Sequence, residues 1–108
     1  MMNTKDDIFR IETEIIRALK DVYDPEIPVN IYDLGLIYEV MVNEDLIAEI
    51  TMTLTAPNCP AADIILADVN RGVKQIEGVK DVHINLTFDP PWDKSMLSEE
   101  ARLELGFL

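Results

Sequence analysis

Cysteine is nearly absent from this chain: Cys59 is the only one in 108 residues, and His83 is the only histidine. One thiol excludes an intramolecular disulfide. With no paired Cys or His spacing, a zinc or iron–sulfur site complete within one chain is not expected, because such sites take about four ligands. Basic residues are scarce as well: nine Lys and Arg face 21 Asp and Glu, for a net charge of −12. Nucleic acids and anionic lipids are held chiefly through cationic side chains, so neither is expected as a partner; basic proteins or cations fit better. No apolar run is long enough to span a bilayer, and Met1 to Asp7 lacks an apolar signal region. The expected compartment is the cytoplasm. Without a Gly-rich phosphate loop, nucleotide hydrolysis has no support.

Hydrophobic content of 48% with 28% charged residues is that of an ordinary globular protein, and the length suits one domain over residues 1–108. Between Asp6 and Asp21, Ile8, Ile11, Ile15 and Leu19, continued by Val22, recur at helical spacing. Thr4 and Asp7 resemble a capping box, and Asp24-Pro25 should stop the helix. Ile37–Asn43 and Leu46–Thr55 read as a hairpin about a Glu44-Asp45 turn. In the second strand Ala48, Ile50, Met52, Leu54 and Ala56 form the expected buried face, and the threonine-rich set with Thr51, Thr53 and Thr55 the partly exposed one. Residues 60–76 carry Ile65, Val69, Val73 and Ile76 at helical spacing, broadened by Ile64 and Leu66. Residues 79–88 alternate, with Val82, Ile84, Leu86 and Phe88 on one face. Ser98 should cap a short last helix through Leu105, ended by Gly106. The order α-β-β-α-β-α, with a right-handed crossover making the last two strands parallel, gives a two-layer α+β fold with a small mixed sheet.

Cys59 falls between a strand and a helix. If Pro60 is the first helical residue, Cys59 sits at or beside the N-cap, where backbone N–H groups and the helix dipole favour a thiolate. A thiolate serves nucleophilic chemistry and soft-metal binding; a packed, inert thiol is the competing reading. A Cys59–His83 pair would suit a cysteine enzyme, but nothing in the sequence brings the two together. Asp24, Glu26 and Asp33 form an acidic group in a Pro-held loop, fit to bind a cation or a basic partner, or simply to shape turns. Asp89-Pro90-Pro91-Trp92 ends the last strand on a polyproline-like path, with Trp92 as core cover or contact surface.

Taken together, Asp24-Pro25-Glu26-Ile27-Pro28, Asp33-Leu34-Gly35-Leu36-Ile37, Met52-Thr53-Leu54-Thr55 with Cys59-Pro60, and Asp89-Pro90-Pro91-Trp92 resemble the SufT/PaaD-type (MIP18-like) metal–sulfur cluster assembly family, from about Ile8 to the C-terminus. The resemblance implies an iron–sulfur cluster assembly-type α+β domain and a non-enzymatic role as carrier, scaffold or targeting adaptor. It implies Cys59 as the cluster- or thiol-transfer residue, a transient or shared metal ligand. It implies Asp24, Glu26 and Asp33 as the supporting acidic motif, with Thr55, Asp89 and Trp92 near the site. The implied cargo is a transient iron–sulfur cluster that one chain alone does not hold. The implied partners are client apoproteins, assembly machinery and a second copy of the chain. The PaaD-like subgroup, accessory to a phenylacetyl-CoA oxygenase, carries a further Cys-rich portion that this sequence lacks, which favours the SufT-like branch. A protein-interaction module in which Cys59 is structural is the alternative.

Overall fold

The computed structural model describes residues 4–25, 27–55 and 60–106. Glu26 and Cys59 therefore lie outside the described residues. Helix α1 (Thr4–Leu19) buries the predicted stripe: Ile11, Ile15 and Leu19 are inaccessible to solvent. Each such side chain contributes about 1.5–3 kcal/mol by leaving water. The helix ends ahead of Asp24-Pro25, as the pre-proline restriction requires. It already includes Thr4, one position earlier than the capping-box reading needs.

Strands β1 (Ile37–Val42) and β2 (Ile47–Met52) pair antiparallel. Their turn is closed by the Asn43 side chain, whose Oδ1 accepts the N–H groups of Asp45 (2.9 Å) and Ile47 (3.0 Å). Leu46 takes a left-handed φ of 61° there. Helix α2 (Ala62–Lys74) crosses to β3 (Asp81–Leu86), which lies parallel to β2 from Ile47 opposite Asp81 to Met52 opposite Leu86. The sheet order is β1-β2-β3. Helices α1 and α2 pack against each other and over the sheet, α1 toward β1 and α2 toward β3. The core between the layers comes from Ile11, Ile15, Leu19, Ile50, Met52, Ile65, Val69 and Val73.

Two burial expectations need correction. Thr53 was placed on the partly exposed face of β2, yet it is fully buried. The strand ends at Met52, so strict alternation stops there, and the Thr53 N–H turns to bond the Leu36 carbonyl at 2.8 Å. Ile64, grouped with the apolar face of α2, is 56% exposed. The helix buries only the narrow stripe Ile65, Val69 and Val73.

Past β3 the chain forms a 3-10 turn (Lys94–Met96), which the apolar pattern did not reveal, and helix α3 (Glu99–Leu105). Ser98 caps α3, its hydroxyl accepting the Ala101 N–H at 3.1 Å. Gly106 closes the helix in the left-handed region, φ 76°. Both ends were legible from residue type.

Candidate functional site

Three sequence motifs gather around the C-terminal end of β2, those of Asp33–Ile37, Met52–Thr55 and Asp89–Trp92. From there the chain runs on through Thr55 toward Cys59 and α2. In open α/β sheets, ligand sites form at the carboxyl ends of parallel strands, and β2 and β3 are the parallel pair here. On one side, Thr53 bonds Leu36 of the Asp33–Ile37 motif; on the other, the Thr87 N–H bonds the Met52 carbonyl at 2.9 Å.

The Asp89–Trp92 segment is strapped across this end. The Trp92 indole Nε1–H donates to the Leu34 carbonyl at 2.7 Å, and the Ser98 N–H to the Asp33 carbonyl at 2.9 Å. Trp92 is half-buried against the core, so it serves as cover. Asp89 is exposed, its N–H held by the Thr87 hydroxyl at 3.2 Å. The segment does not run as a polyproline-like rod: Asp89 and Pro90 sit in a bend with a cis peptide between them.

Tyr38 is the residue that the sequence reading missed. The β1–β2 register skips between Ile37 and Glu39, leaving Tyr38 as the bulged residue. Bulges re-aim a side chain out of the ladder. Here the phenol donates to the Pro90 carbonyl at 2.7 Å and touches the Met96 sulfur at 3.6 Å. A tyrosine in an alternating strand carries no sign of this, because the bulge depends on pairing.

Gly35 lets the strap close. Its φ is +83°, and a Cβ built on it would stand 2.4 Å from the Met96 carbonyl oxygen. In the same turn the Asp33 carboxylate accepts the Asn30 amide at 2.8 Å, while the Asp33 N–H donates to Asn30 Oδ1 at 2.8 Å. Asn30 also bridges to Tyr23, which ties the Asp24 segment to the Asp33 segment. Asp24 is buried, 5% exposed, and its carbonyl accepts the Ile27 N–H in the expected Pro25 turn. Beside this turn, Tyr23, Pro28, Asp33, Glu100 and Glu104 line a concavity of about 400 Å³.

One electrostatic shift accompanies the strap. The Ser95 hydroxyl (2.7 Å) and backbone N–H (3.3 Å) donate to Asp93 and hold its carboxyl below the usual carboxylate range.

The structure thus brings Asp33, Thr55, Asp89 and Trp92 to one end of the sheet, with Asp24 joined through the Tyr23–Asn30 bridge. The expected helix cap needs correction. Helix α2 starts at Ala62 with Ala61 as N-cap, so Pro60 sits in the preceding turn and Cys59 lies two positions ahead of the cap in sequence. Proline's preference for N1 lost to the turn that leads in. His83 stands exposed on the solvent side of β3, 3.6 Å from Asp81. Among the described residues, no group of three or more His, Cys, Asp or Glu could hold a metal ion, and no helix is long and apolar enough to cross a membrane.

Residues 12–86 match the family described as "Iron-sulfur cluster assembly protein". A Porphyromonas gingivalis protein named Fe-S protein maturation auxiliary factor is 61% identical over 102 residues, covering 94% of this chain and 97% of its own. The maturation auxiliary factor SufT of Staphylococcus aureus is 36% identical over 79% of this chain and 97% of its own. A Bacillus anthracis domain of unknown function, DUF59, superposes with a TM-score of 0.88 at 34% identity, over 96% of this chain and 99% of that one. The motif order, the α+β fold and these likenesses agree: the chain belongs to the DUF59 (MIP18-like) family of iron–sulfur cluster assembly proteins.

Proposed function

We propose that this protein is a maturation factor for iron–sulfur proteins, acting as carrier, scaffold or targeting adaptor for client apoproteins through Cys59. The observation that carries the reading is the likeness to named Fe-S maturation factors, over 94% and 79% of this chain and 97% of each of theirs. It is supported by the gathering of the family-like motifs at the end of β2 from which the chain runs to its only cysteine. The cluster is cargo. One chain supplies one thiol, whereas clusters take about four thiolate-type ligands, so the cluster is held transiently and shared with a second copy or a client. Asp24, Glu26 and Asp33 shape and charge the neighbouring loop, and Thr55, Asp89 and Trp92 border the same end. No bond-making chemistry is assigned to the protein, which works in the cytoplasm with clients and assembly machinery.

The test is anaerobic reconstitution with ferrous iron and sulfide followed by native mass spectrometry, beside client maturation in cells, for wild type and Cys59→Ser. Expected are a cluster-sized mass increment lost in the variant and a client enzyme left inactive. Normal client maturation by Cys59→Ser sinks the thiol role.

The acidic concavity favours a second reading, an adaptor whose carboxylates bind a basic client. Asp33→Lys should then harm maturation more than Cys59→Ser does. Asp24 is the wrong probe for this, because its burial makes a charge reversal there a folding defect.

A further inference from the structure

The two edges of the sheet are built differently. At the β1 edge, a bulge at Tyr38 and the exposed charge of Glu39 block further pairing. The β3 edge has no bulge, and its one carboxylate, Asp81, stands at the first residue of the strand. Its register with β2 runs unbroken over six pairs, and the stretch Val82–Phe88 holds no Asp, Glu, Lys or Arg in a chain of net charge −12. Alternate residues of a parallel strand bond its neighbour. Since the Thr87 N–H bonds Met52, the backbone groups of Ile84 and Leu86 point to the open side. No backbone hydrogen bond among the described residues reaches that side. The Val82 N–H is satisfied locally by Asp81 Oδ1 at 2.8 Å. Leu86, on the same face of β3 as Val82, is 42% exposed, and Phe88, two residues past the strand, is 38% exposed.

The stretch is also self-complementary about Asn85. Run antiparallel to itself, Val82 faces Phe88, Ile84 faces Leu86, and His83 faces Thr87, so every apolar residue meets an apolar one. In that register the free groups of Ile84 and Leu86 exchange hydrogen bonds, and the two Asn85 residues form a non-hydrogen-bonded pair.

We propose that β3 is a homodimer interface: two copies pair antiparallel about a twofold axis at Asn85, making one six-stranded sheet and covering Leu86 and Phe88. The symmetry is isologous, as a twofold contact must be. Opposing this contact is the repulsion between two chains of −12 each, so salt should strengthen it by screening. The inference rests on the edge and not on the role of Cys59.

The test is molar mass by light scattering on the full chain, from micromolar to submillimolar concentration, at low and high salt. A dimer whose share rises with concentration and with salt is expected; a monomer throughout overturns the proposal. Leu86→Lys should raise the dimer dissociation constant about tenfold or more. Phe9→Lys, at an exposed position on α1, should leave it unchanged. A dimer that survives Leu86→Lys, or is lost in Phe9→Lys, overturns the interface. In a Cys59→Ser background, Asn85→Cys should form an intersubunit disulfide under mild oxidation, since such pairs place Cα atoms ~4.5 Å apart. A folded Asn85→Cys protein that does not cross-link refutes the register.

Discussion

Replacing Gly35 with alanine separates two costs that usually arrive together. Gly35 and Gly106 both have a left-handed φ, +83° and +76°. A side chain there costs about 1–2 kcal/mol from backbone sterics alone. At Gly106 nothing lies within 4 Å of the added Cβ, so Gly106→Ala should cost only that. At Gly35 the Cβ meets the Met96 carbonyl oxygen at 2.4 Å and the Met96 Cβ at 2.8 Å. The obstructing atoms belong to backbone of the 3-10 turn, which cannot swing aside like a flexible side chain. Moving that turn loosens the Trp92–Leu34 and Tyr38–Pro90 hydrogen bonds, each contributing about 0.5–1.5 kcal/mol. Gly35→Ala should therefore cost about 2–5 kcal/mol in all. That corresponds to a fall in Tm of roughly 8 °C or more for a domain of this size. Urea unfolding followed by circular dichroism reads both variants, with unchanged m-values licensing the comparison. Equal losses at Gly35 and Gly106 would refute the close-approach reasoning.

Other predictions are smaller. Trp92→Phe keeps most of the apolar cover but leaves the Leu34 carbonyl without its donor, and should cost about 1–3 kcal/mol by urea unfolding; no loss would mean that water replaces the indole freely. Ser98→Ala removes the cap of α3 at about 1 kcal/mol, while Ser98→Asp should retain stability; equal stability of all three would dismiss the cap. In an NMR pH titration, Asp93 should ionise below the usual aspartate range, and Ser95→Ala should raise its midpoint. Because the folded value is depressed, the stabilisation is present at neutral pH and disappears as pH falls through that value. A midpoint indifferent to Ser95→Ala would refute the assignment.

Local signals were legible where one residue type has one physical use. Ser98 and Gly106 bracket α3 because a hydroxyl can cap an N-terminus and glycine tolerates a left-handed φ. The Ile11, Ile15 and Leu19 stripe and the Ala48, Ile50 and Met52 alternation chose their own faces, since burial follows the helical and strand periods. The same patterns misled where a period ended: Thr53 lies one residue past β2, and Ile64 near the start of α2 turns outward.

The sequence by itself determined the order of the elements, their buried faces, the caps of α3 and, through four spaced motifs, the family. Tertiary structure alone decided that three of those motifs meet at one end of β2, that Tyr38 leaves the ladder to hold Pro90, and that Gly35 must admit Met96. Among the described residues it also left β3 as an open edge. The Tyr38–Pro90, Trp92–Leu34 and Gly35–Met96 contacts join residues more than 50 positions apart, and the edge depends on strand order. Periodicity reports only which way a residue faces within its own element; which distant partner it meets depends on how the elements pack.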